Sequence, residues 1–183
     1  MRMNLATSGT WLLLAATIVV GISILLDGAV SRALNGVAGV MWFAAAAMLV
    51  VAGMRVNHGA RLWVGLLVST AFVAFIVTPS DLLFAAIGFI TCGAVAVVLA
   101  GDGRLLWSTL VVGLYLPMHI GTAVVKAVVR SMAGNEASLR TDPPPTAAIV
   151  PLVMLGAALL GGLLVQRFWS SAERHRVAGY GRS

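Results

Sequence analysis

Apolar residues run in long blocks along this chain, separated by short polar or turn-forming clusters. The blocks are Thr10 to Leu26, Leu34 to Gly53, Leu62 to Val77, Leu82 to Ala100, Leu105 to Val129 and Ala147 to Val165. Each approaches the ~20 apolar residues that a helix needs to cross hydrocarbon, and the third is short unless Ala60 and Thr78 join it. Inside a bilayer the backbone must satisfy its own hydrogen bonds, which leaves helices or a closed barrel. Barrel strands alternate polar and apolar positions, and these blocks do not. The pattern predicts an all-α integral membrane protein: a bundle of about six transmembrane helices, read as one polytopic domain over residues 1–183.

The separators carry turn chemistry. In Thr78-Pro79-Ser80-Asp81 the proline opens a turn, and Ser80 or Asp81 can cap the helix that follows. Gly101-Asp102-Gly103 is a second tight turn, and links this short make consecutive helices antiparallel neighbours. The long connection spans residues 131–146, where Pro143-Pro144-Pro145 predicts an extended, stiff segment. After the last block, Phe168 and Trp169 read as interface anchors, and residues 168–183 as a tail with a flexible basic end. Met1 to Ala33 has some features of a signal peptide, with Arg2 ahead of an apolar run. Thr10 to Leu26 is long for such a segment and Arg32 is unusual before a cut, so the block is read as a retained helix. Ala52-Gly53 followed by Arg61-Leu62-Trp63 is echoed by Ala100-Gly101 followed by Arg104-Leu105-Leu106-Trp107. Duplication and ordinary interface anchoring both produce that echo.

Composition narrows the class. Only 10% of residues are charged and the mean hydropathy is +1.01. A soluble domain carries about 25% charge, and little sequence remains here for one. The net charge of +6 would suggest nucleic acid in a soluble protein. Here the basic residues sit at the ends of apolar blocks, which excludes nucleic acid and points to membrane lipids, through anchoring and anionic head groups. Arg2, Arg55, Arg61, Arg104, Arg167, Arg174, Arg176 and Arg182 fall on one side, and Arg32, Lys126, Arg130 and Arg140 on the other. That bias predicts both termini in the cytoplasm and a multi-pass protein of the plasma membrane. Cys92 stands alone in an apolar run and reads as a small buried residue.

The fifth block holds the candidate chemistry. On an ideal helix Arg104, Ser108, Tyr115, His119, Thr122, Lys126 and Arg130 fall within about 80° of arc, with apolar residues opposite. Ionisable groups in a bilayer are costly and turn toward a bundle interior, a wet cavity or a partner. The candidate ligand or pathway residues are therefore Tyr115, His119, Thr122, Lys126 and Arg130, with Asp27 and Asp81 as possible counter-charges. Pro117 should free the carbonyl of Gly113 within the same helix. Snorkelling of Lys126 and Arg130, with Tyr115 and His119 tied inside the bundle, explains the same stripe without a ligand. His58, His119 and His175 are too far apart along the predicted topology to share a metal, and no catalytic or cofactor motif occurs. Small residues at Gly88, Cys92, Ala96 and Ala100, and at Ala157, Ala158, Gly161 and Gly162, predict close helix packing within the chain or between subunits.

These readings leave two functions open. One is transport or solute binding, as a permease, channel protomer or membrane substrate-binding subunit for a small anionic or polar solute. The other is an accessory or assembly subunit of a larger membrane complex, joined to other subunits or to its own copies. The orientation is tested by cysteine scanning with an impermeant reagent on a Cys92→Ala background. A cysteine at position 136 should label from outside and one at position 58 should not; the reverse pattern contradicts it.

Overall fold

A computed structural model describes residues 4–76, 82–102, 104–132 and 148–180. Among them the regular structure is all helical: α1 (Leu5–Ile24), α2 (Gly28–Val56), α3 (Ala60–Ile76), α4 (Leu82–Ala100), α5 (Leu106–Met132) and α6 (Val150–Tyr180). Five of these are long and apolar enough to cross a membrane; α3 is a shorter apolar helix with 17 residues described. The surface agrees, because Trp11, Val40, Phe72, Leu83, Phe84 and Val125 are all exposed. Continuous apolar surface of that kind is matched by lipid and not by water. The chain is a multi-pass integral membrane protein.

Local chemistry sets the helix ends. Asn4 caps α1 by accepting from the Ala6 amide. Gly28, the first residue of α2, and Gly101, in the turn after α4, stand at positive φ, 74° and 70°, where a side chain would be strained. Gly101 closes α4 by donating its amide to Val97 O at 3.1 Å. Two helices outrun the apolar blocks. α2 begins directly after Asp27, well ahead of Leu34, and its 29 residues extend about 43 Å, beyond the roughly 30 Å of hydrocarbon. α6 continues to Tyr180 in place of the flexible end expected after Trp169. Ala172, Glu173, Arg174 and Arg176 are competent helix formers and no proline interrupts them, so the helix has no local reason to stop at the membrane surface. The connection 133–147, with its triple proline, lies outside the described residues, as do Val77 to Asp81.

α5 runs through the middle of the bundle and touches each of the other five helices. Every residue from Trp107 to Tyr115 is buried, so this half of α5 is enclosed on all sides. Around it the closest pairings are α1 with α2 and α4 with α6. In the first pair Gly9 admits Leu49, and at the far end the Ser23 hydroxyl reaches Asn35 Oδ1 at 2.6 Å while Ser31 donates to Ser23 O at 2.8 Å. In the second, glycines bring backbones together: a Cβ on Gly93 would collide with the Ala158 carbonyl, and one on Gly161 with the Ile90 carbonyl. Gly162 lies against the Ser108 hydroxyl and Val97, so α4, α5 and α6 meet at one point. On α6 the small residues expected from the sequence, Ala158, Gly161 and Gly162, make these contacts; on α4 the contact is Gly93, while Cys92 of the expected face turns to Ser69 O of α3 at 3.5 Å.

Where backbone meets backbone, no rotamer change can make room. Gly161→Val should therefore cost about 1–3 kcal/mol or more, the usual penalty for overpacking. Gly156→Val should be nearly neutral, because nothing lies within 4 Å of that Cβ position. Thermal melting in detergent compares the two; equal melting temperatures would contradict the packing.

Candidate functional site

The polar stripe belongs to the central helix, and its neighbours are the chain's own α3 and α4. Ser108, fully buried, donates to Gly93 O of α4 at 3.3 Å. Two turns on, the Tyr115 ring meets Phe89 of α4 edge-on, with centroids 5.2 Å apart at 71°. Tyr115 then stacks on His119 at 5.4 Å, and its hydroxyl lies 3.5 Å from His119 Nδ1, a long contact for a hydrogen bond. The Thr122 hydroxyl donates to His119 O within its own helix at 2.9 Å and lies 3.5 Å from Ala74 O of α3. Lys126 donates to Phe75 O at 2.8 Å, and its ammonium sits 4.4 Å from the centre of the Phe75 ring. That geometry combines a charge-assisted hydrogen bond with a cation–π contact. Tyr115 is buried, whereas His119, Thr122 and Lys126 are partly buried.

The remaining sequence candidates stand apart from this line. Arg104 precedes α5 and belongs to the turn, where its Nε lies 3.5 Å from Asp102 Oδ2. Asp27 forms no ion pair with the described basic residues. Asp81 lies outside the described residues, and so does the side chain of Arg130. No group of three or more His, Cys, Asp or Glu side chains comes together among the described residues.

Three features had escaped the sequence reading. The first concerns Pro117, which lies inside α5 and cannot donate to Gly113 O. The indole of Trp42 on α2 donates to that oxygen at 3.1 Å, in a buried setting. Sequence identifies the orphan carbonyl, but nothing in it says which helix supplies the donor. The second is Asp102. One carboxylate oxygen accepts from the Arg104 amide at 3.1 Å and from the Trp107 indole at 2.7 Å. An aspartate bonding the amide two residues on is a common turn device, so half of this was legible. The third is Thr70 on α3, whose hydroxyl is buried with no partner among the described residues.

The echoed Arg–Trp turns now have a shared geometry. Trp63 donates to Asn57 O at 3.0 Å, and Trp107 donates to Asp102, each indole tying back to the turn before it. The two rings meet edge-on at 6.2 Å, and both lie over Gly53. A tryptophan expected at the interface, Trp107, is in fact fully buried.

No protein-family model, curated protein or solved structure matches the chain. Trp42→Phe should cost about 1–3 kcal/mol, because it leaves Gly113 O without its donor in a water-poor setting. Pro117→Ala restores an amide able to reach the same oxygen, so in that background the loss should shrink. A double-mutant cycle of unfolding free energies measures this, and additive effects would show that the bond carries no coupling.

Proposed function

We propose that this chain is a non-catalytic accessory or assembly subunit of a larger membrane complex, acting through the apolar outer face of a closed bundle. The observation that carries the reading is where the α5 stripe directs its polar groups. Ser108 and Lys126 bond to backbone carbonyls of α4 and α3, Thr122 bonds within α5, and Tyr115 packs on Phe89. A solute pathway needs polar groups turned toward a passage, free to exchange partners with the solute. Groups already engaged by neighbouring helices act instead as interhelical ties. The basic bias supports both termini in the cytoplasm and residence in the plasma membrane.

Transport of a small anionic or polar solute is the second reading. It is favoured by the Thr70 hydroxyl, which has no partner among the described residues, and by the partly buried His119 and Lys126 on α5. Purified protein in sealed vesicles separates the two. The accessory reading expects no flux of chloride, phosphate or amino acids above empty vesicles. It also expects a photo-crosslinker at exposed Val40 or Phe43 to give one discrete adduct in native membranes. Flux that falls in Lys126→Ala or His119→Ala would overturn it in favour of transport. An adduct at twice the chain mass would make the partner a second copy.

A further inference from the structure

α1 and α6 are tight against each other at one end, where a side chain on Gly21 would strike the Ala148 carbonyl. Toward the other end a furrow of about 340 Å³ opens between them, floored by α5. Thr7, Thr10 and Trp11 form one wall, Leu159 the other, and Leu105, Leu106 and Thr109 the floor. Its volume lies within the range of small-molecule sites. Trp11 and Thr7 are exposed, so the furrow opens to the outside of the bundle.

The chemistry of the furrow changes along its length. Trp11, Leu105, Leu106 and Leu159 are apolar. Arg104 directly precedes the lining residue Leu105, and its side chain is exposed, with Nε 3.5 Å from Asp102 Oδ2. The Thr7 hydroxyl has no partner among the described residues. Arg55 and Arg61 are exposed at the same end of the bundle, next to the turn between α2 and α3. An apolar slot facing lipid, capped by hydrogen-bond donors within a field of positive charge, complements an amphiphile with a negative head.

We propose that this furrow seats one anionic glycerophospholipid, with its phosphate at Arg104 and Thr7 and an acyl chain along Trp11, Leu106 and Leu159. The site uses none of Tyr115, His119, Thr122 and Lys126, and the proposal stands whether the chain is an accessory subunit or a transporter.

Native mass spectrometry of the full chain tests it, with phosphatidylglycerol and phosphatidylcholine supplied in equal amounts. Wild type should retain one phosphatidylglycerol with roughly fivefold preference, the ratio one basic group at a lipid surface can supply. Arg104→Gln should remove the preference while leaving weak retention of either lipid. Thr10→Trp fills the furrow and should abolish the adduct, with an unchanged melting temperature reporting that the bundle is intact. If Thr10→Trp does not fold, Leu159→Trp fills the furrow from the opposite wall and is judged by the same outcomes. Equal retention of the two lipids by wild type, or a phosphatidylglycerol adduct surviving on the folded, filled variant, would overturn the proposal.

Discussion

The carbonyl oxygen of Gly113 has lost its helical donor to Pro117, and hydrocarbon offers no replacement. Trp42 supplies one from α2, and much of the bundle follows from that need. To reach the oxygen, α2 must lie close beside α5. The small Ala46 of α2 allows it, lying at ordinary contact distance from the Cβ position of Gly113. With α2 seated on one side and α4 on the other, this half of α5 has no lipid-facing side left. A residue that weakens one helix thereby fixes which helix becomes the centre.

The stripe along α5 acquires its meaning from that position. Hydrogen bonds between membrane helices are worth only about 0.6 kcal/mol on average. The contacts of Ser108, Thr122 and Lys126 therefore contribute little individually. Close packing at Gly93, Gly161 and Gly162 must hold the helices together, and the polar groups then select register and orientation. Lys126 is the clearest case, because its ammonium fits one place on α3, between a carbonyl and an aromatic ring.

Legibility in the sequence followed the strength of the local signal. Long apolar blocks specified the six helices, because bilayer thickness and backbone satisfaction permit little else. Ends were less readable where helix propensity continued past the apolar run, as at Gly28 and beyond Trp169. The wheel of α5 grouped Ser108, Tyr115, Thr122 and Lys126 correctly on one side, since helical geometry is local. It could not show that the opposite side is covered as well, because that enclosure depends on residues of another helix, such as Ala46 of α2 against Gly113. The burial of Trp107 is not legible for the same reason: an indole near a helix end can face lipid or protein, and here Asp102 and Trp63 hold it inside.

The pairing of α4 with α6 across α5 bears on how the chain is built. A ribosome delivers α1 and α2 first, and their serine–asparagine clasp joins neighbours in sequence, so that hairpin can form as soon as it is made. The glycine contacts of α4 have no counterpart until α6 has been made. Until then Gly93 and Ile90 offer bare backbone to whatever lies beside them, and Ser108 lacks half of its surroundings. Closure of this part of the bundle therefore waits for α6, and a chain halted before it leaves these contacts open.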